Sequence, residues 1–283
     1  YANVRLQGRK LTEKDPLKPQ IPIIEHADVK RMLLFQKAMI EGTLALEMQA
    51  CMYLDKSKTG TGEEAEANFL KLELLTPIIK SYPAEMSILT TSTALQIFGG
   101  YGFTKEFMAE LFFRETRIHT LHEGTTAIHG MDLLGRKVMM KNGQATMLLM
   151  QEVFQDIEAA KKVESLKANA ETLEQKLTQL QELTMRLMGV AQKHGPEVFL
   201  SDATLYLELF GIIAIGWQWL KQGIVTEQLK ASSSKKYSPE FLQSKIHTLN
   251  YFFEYEIPKT EGLLTRLKSK NKLTMDVKAE EIV

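Results

Sequence analysis

The chain has 283 residues, 44% of them hydrophobic and 25% charged, with 35 lysines and arginines against 35 aspartates and glutamates. These proportions fit a globular protein of one large or two smaller domains. The balanced charge excludes a global field that would draw the chain to nucleic acid or to anionic lipid. The lone Cys51 cannot close an internal disulfide; it reads as a small buried hydrophobe in a reducing compartment, with the cytoplasm as the expected location. The sequence opens on Tyr1 with no charged-then-apolar leader, and reads as a piece of a longer protein. The longest uncharged apolar run, residues 209–220, is shorter than the ~20 residues that span a bilayer, so no membrane span is expected.

In chain order, residues 1–10 read as the tail of a helix. Pro16, Pro19 and Pro22 then make residues 11–22 a connector, because each disfavours helical backbone in the residue before it. Helical spacing returns over 28–54, where Val29, Met32, Leu33 and 35–39 form an apolar face. Residues 56–62 read as a loop with two glycines. A second helix is expected over 63–82, with a kink or break at Pro77. A third runs from Ala84 to about Phe98, and Gly99, Gly100 and Gly102 end it. A short amphipathic piece covers 106–114, a polar break surrounds Glu123, and a fourth helix starts near Thr125–Thr126 and reaches about Met140.

Lys141-Asn142-Gly143-Gln144 is the clearest internal boundary and divides the chain into 1–142 and 143–283. Beyond it Leu173, Leu177, Leu180, Leu183 and Leu187 form a seam of the kind helices use to pair. Gly195-Pro196 stops that helix. An all-round apolar helix over 198–223 is expected at the centre of this half, followed by a mobile loop over 231–236. Ser238-Pro239 starts another helix, with Leu242, Ile246, Leu249 and Phe253 on one face. No stretch alternates with period two for long. The expected class is all-α.

From the residues alone, Gly99-Gly100-Tyr101-Gly102 reads first as a helix-ending turn. The dinucleotide fingerprint needs a preceding strand, and none is present. Glu123-Gly124-Thr125-Thr126 reads first as a helix start, where a glutamate and a threonine cap are both favourable. His119, His122 and His129 lack zinc-helix spacing and a second ligand cluster, so no metal is expected.

YANVRLQGR, LQIFGGYGF and ETRIHTLHEGTTAIHGMDLLGRKV, in that order and spacing, resemble the C-terminal helical domain of flavin-dependent acyl-CoA dehydrogenases over residues 1 to about 140. Residues 146–283, with FFEYEIPKTEGLL, resemble the helical extension of a longer branch of that family. The resemblance implies a four-helix bundle followed by a second helical bundle, FAD as cofactor and an acyl-CoA as substrate. It further implies an electron-transfer flavoprotein as electron acceptor, and a homodimer or dimer of dimers. Glu123 matches the base that takes the C2 proton while flavin N5 accepts a hydride from C3, giving the trans-2-enoyl-CoA. Such a base should be partly desolvated, because a proton α to a thioester is only weakly acidic. Gly124 matches the place where substrate and flavin approach, and Thr125 a cofactor contact. Gln96, Phe98, Gly99 and Gly100 match the segment that holds the adenosine part of the neighbouring subunit's FAD. Arg5 matches an arginine on the pyrophosphate, with Gln7 beside it. The chain departs from the pattern at His122, where tyrosine is frequent, at Ala127, and at Glu25-His26-Ala27, where a glutamine contact is replaced.

Two rival roles concern the second half. A nucleic-acid-associated, alkylation-response branch of the family exists, but lysines, arginines and acids are nearly balanced after residue 227, so nucleic acid is not the expected partner and the Lys268-Ser269-Lys270-Asn271-Lys272 patch reads as solvated surface. The favoured reading is an oligomerisation module built on the leucine seam.

Overall fold

Two helices joined by only Gly60 and Thr61 set the frame: α1 (Ala27–Thr59) and α2 (Gly62–Phe98). The computed structural model describes residues 1–232 and 236–282, so the central part of the expected 231–236 loop lies outside the described residues. Ten α-helices follow one another among the described residues, with no strand and one isolated antiparallel bridge, Leu6–Pro22. The class is all-α.

The expected loop at 56–62 is mostly helix, because α1 continues to Thr59. The expected second and third helices are one, with Pro77 and Pro83 inside it. An interior proline costs about 3 kcal/mol through a lost hydrogen bond and a ring clash. Here the flanking residues Leu74, Leu75, Ile78, Ser81 and Tyr82 are all buried against neighbours, and burial of several large apolar side chains at roughly 1.5–3 kcal/mol each outweighs that cost. Residues 1–10 are not the tail of a helix. After one turn at Tyr1 they run extended beside the connector: Gln7 N donates to Ile21 O at 3.0 Å and Ile23 N to Arg5 O at 2.8 Å. The Cys51 expectation also fails, since the thiol lies on an exposed face of α1.

Next come α3 (Ala109–Thr116), α4 (Thr126–Gly135), α5 (Gln144–Lys161) and α6 (Lys167–Leu200). Gly195, at φ 82°, interrupts α6 where the Gly-Pro pair predicts a stop. Then follow α7 (Ala203–Ala231), α8 (Pro239–Tyr251), α9 (Thr260–Lys268) and the single turn α10 (Leu273–Asp276). Ser238 caps α8 by accepting from Phe241 N at 3.2 Å, with Pro239 at the first helical position.

Lys141, Asn142 and Gly143 turn the chain with positive φ of 53°, 56° and 85°. One hydrophobic core nevertheless runs through both halves. Its centre is α7, which packs on α1, α2, α4, α5, α6 and α8. With 29 residues α7 is long and apolar enough to cross a membrane, yet most of its apolar stretch is buried inside the protein. The joint to α1 is close. Trp219 Nε1 donates to Ala38 O at 3.0 Å, and a Cβ on Gly42 would lie 2.6 Å from Ile215.

The leucine seam is used inside the chain. Leu173, Leu177, Leu180, Leu183 and Leu187 are all buried, on a helix packed against α5, α7 and α9. It therefore cannot serve as the expected oligomer surface. Apolar side chains left in the open lie elsewhere. Ile40, Leu44 and Met48, spaced by four on α1, are each more than half exposed.

Candidate functional site

The polar break expected around Glu123 is a tight loop between two short helical turns, Arg117–Thr120 and the start of α4. Glu123 has φ 56° and Gly124 φ 95°. Left-handed backbone costs a non-glycine residue roughly 1–2 kcal/mol, so surrounding contacts must hold it. Lys80 supplies them from the middle of α2. Its ammonium donates to His119 O at 2.9 Å and to Gly124 O at 2.7 Å, on either side of the base candidate. His129 reaches back from α4 to Glu123 O at 3.1 Å. A Cβ on Gly124 would lie 2.8 Å from that imidazole, so both the space and the positive φ require glycine there.

The start of α4 is held separately. Thr126 donates its hydroxyl to the Glu85 carboxylate of α2. Thr125 occupies the N-cap position, but its side chain makes no capping bond, which leaves the hydroxyl available to a ligand. Glu208 of α7 lies in the same electrostatic neighbourhood. Its carboxyl is raised above the ordinary range by burial, an effect opposed by Lys259 and reinforced by Glu85.

Glu123 itself is exposed; among the described residues, no element provides the burial expected of a C2 base. Its neighbours along the chain, Ile118, Leu121 and Ile128, are each about half exposed. An uncovered apolar area of this kind marks a contact surface.

The second group of expected residues comes together elsewhere. Arg5, Gln7, Gln96, Phe98 and Gly99 line one hollow of about 480 Å³, although the two stretches are some ninety positions apart. The extended backbone of residues 5–8 places Arg5 and Gln7 on the same side. Aromatic packing fixes the far wall: Tyr1 stacks on Phe98 with centroids 4.5 Å apart, and its hydroxyl donates to Phe98 O at 3.2 Å. Beneath lies a small separate core of Ile23, Met32 and Ile97. His26, at one of the departures from the family pattern, lines the hollow too and pairs with Gln7 O at 2.8 Å.

Arg5 Nε is buried with no hydrogen-bond partner among the described residues. A buried unpaired donor of this kind costs about 1–3 kcal/mol unless something outside supplies an acceptor. Gly99 ends α2 at φ 60°, and a Cβ on either Gly99 or Gly100 would meet nothing within 4 Å. Gly100 adjoins the hollow and does not line it. A guanidinium with an unpaired Nε, packed over the Tyr101 ring and beside bare backbone, fits a diphosphate-bearing group such as FAD. This hollow and the Glu123 loop share no residue.

Two family models match the chain: "Acyl-CoA dehydrogenase, C-terminal domain" over residues 15–139 and "Acetyl-CoA dehydrogenase C-terminal like" over residues 149–278. The chain belongs to the acyl-CoA dehydrogenase family, as its all-helical fold and the order of its motifs indicate. Among curated relatives it is 34% identical over 259 residues to 3-methylmercaptopropionyl-CoA dehydrogenase of Ruegeria pomeroyi, covering 89% of this chain and 42% of that protein. It is 29% identical over 290 residues to a butyryl-CoA dehydrogenase of Syntrophomonas wolfei, covering 100% of this chain and 46% of that protein. The chain thus spans less than half the length of these relatives. Among solved structures, Caenorhabditis elegans ACDH-11 in complex with C11-CoA matches with a TM-score of 0.70 and 21% identity, covering 84% of this chain and 38% of that one. At that identity the likeness speaks for the fold.

Lys80, Glu85 and His129 were not foreseen as site residues. Lys80 lies 44 positions from the carbonyl it holds, and a lone lysine on a helix carries no signal of such a contact.

Proposed function

We propose that this chain forms the C-terminal helical part of an FAD-dependent acyl-CoA dehydrogenase, with Glu123 as the base that removes the C2 proton of an acyl-CoA thioester. The observation that carries the reading is the clamped loop. The loop that carries Glu123 in left-handed backbone is held through its main-chain carbonyls by Lys80 and His129, and the Glu123 side chain is exposed beside half-exposed Ile118, Leu121 and Ile128. When bound, FAD supplies the acceptor for the hydride that leaves C3. The chain's own work is to fix the carboxylate in position, and to leave Gly124 and Thr125 open toward the reacting groups. Segments that cover the apolar rim would exclude water and raise the basicity of Glu123.

Arg5, Gln96, Phe98, Gly99 and Gly100 would hold the diphosphate and adenosine end of an FAD, with Gln7 alongside. That hollow lies apart from the Glu123 loop, which supports an FAD shared between subunits of a homo-oligomer; the exposed Ile40, Leu44 and Met48 stripe supports assembly as well. Residues 143–283 act in this reading as a brace that completes the core around α7. Two variants of the intact protein containing this chain separate the two sites. Glu123→Gln is expected to keep its flavin and lose about 10²–10⁴-fold in turnover. Arg5→Met is expected to lose flavin on gel filtration. Normal turnover in the Glu123→Gln protein would refute the assignment of the base.

A further inference from the structure

We infer that the hollow between the break in α6 and the segment after α9 binds a small phosphorylated molecule with an apolar part. It measures about 580 Å³, inside the roughly 300–1,000 Å³ range of small-molecule sites. Its floor is apolar and buried, with Leu134, Leu187, Phe199 and Leu267 contributing. Its rim holds four permanent cations, Arg186, Lys193, Lys270 and Lys272. Among the described residues none of the four makes an ion pair. The one carboxylate in the lining, Asp202, is already engaged by Arg266 at 2.9 Å. Positive charge without local compensation, above an apolar floor, suits an anion attached to an apolar body.

The hollow is built by ordered backbone. Gly195 redirects the chain so that Val198 and Phe199 turn into the lining. The patch at 268–272, which the sequence suggests is solvated surface, folds back over the opening. Arg266 donates to Asn271 O at 3.2 Å, Asn271 N to Ser269 Oγ at 3.1 Å, and Arg186 to Lys268 O at 2.7 Å. On the α6 wall a Cβ at Gly189 would meet nothing within 4 Å, so a longer side chain there would enter open space. The hollow shares no residue with the Arg5 hollow or the Glu123 loop.

A nucleotide and an acyl-CoA both offer a phosphate on an apolar body, and titration calorimetry of the full chain against ATP, butyryl-CoA and inorganic phosphate at ~0.15 M salt distinguishes them. One of the two organic ligands is expected to bind at one site per chain, at least about tenfold more tightly than inorganic phosphate. Whichever binds more tightly identifies the source. Lys193→Glu with Lys270→Glu should weaken it about tenfold or more. Gly189→Met should do the same by occupying the space, and its helix propensity favours folding. Arg5→Ala should leave this binding unchanged. The inference is overturned if neither organic ligand binds, if phosphate alone binds as tightly, if Gly189→Met binds normally, or if Arg5→Ala abolishes binding.

Discussion

Residues 143–282 bury their large apolar side chains against one another, with both tryptophans and the whole leucine seam inside, whereas residues 1–142 leave most of the chain's exposed phenylalanines, leucines and isoleucines uncovered. The uncovered residues concentrate on α1 and around Glu123, and both groups of expected site residues lie in that same first half. The second half contains none of them. The half that holds the candidate sites leaves open apolar surface of the kind that marks contact with other protein, while the extension closes the core beneath it. Both halves meet on α7, so the bracing is physical and can be broken.

The largest effect should come from cutting that joint. Trp219 is fully buried, and its indole donates to α1. Trp219→Ala should cost about 3–5 kcal/mol in urea unfolding, and the loss of the joint should split one transition into two. A smaller effect is expected at the latch. Lys80→Met leaves the His119 and Gly124 carbonyls without their shared donor. In the intact protein it should lower turnover about tenfold, a change of about 1.4 kcal/mol in the barrier, and it should leave bound flavin intact. Equal loss of flavin and turnover would mean that the latch supports the fold generally and not the loop.

The smallest effect concerns Glu208, where the extension faces the site-bearing half. Burial raises its carboxyl pKa in the folded state, despite Lys259 and with help from Glu85. A carboxyl raised on folding contributes stability that is fully present below its unfolded pKa and is lost as pH rises through the folded value. Glu208→Gln should therefore be neutral near ~pH 4 and slightly stabilising near ~pH 8. Melting curves across that range check the sign, and a gain confined to acid would contradict it.

Much of this fold is legible in the sequence. Helical spacing marks α1, Ser238-Pro239 marks the start of α8, and Gly195-Pro196 marks the break in α6, because each rests on local backbone chemistry. The fusion of two expected helices across Pro77 and Pro83 is not legible, since the burial that outweighs two prolines comes from distant elements. The same holds for residues 1–10, whose extended backbone is set by pairing with 21–23. The leucine seam is legible as a pairing surface, but its partners within the chain are not. Glu123 and the Arg5–Gln96 set are reached through resemblance; spacing alone reads the Glu123–Thr126 segment as a helix start and the glycines at 99–102 as a helix stop, and in the structure α4 begins at Thr126 and α2 ends at Phe98. What no sequence pattern shows is the latch from Lys80, the grip of Glu85 on Thr126, or the unpaired Nε of Arg5.

Isotope exchange offers a direct test of the proposed removal of the C2 proton by Glu123. In the intact protein loaded with flavin, an acyl-CoA incubated in deuterated water should take up deuterium at C2. Mass spectrometry should show this exchange falling by at least about 10²-fold in Glu123→Gln. Exchange at the unaltered rate in that variant would mean that another group removes the proton, and the clamped loop would then need a different role.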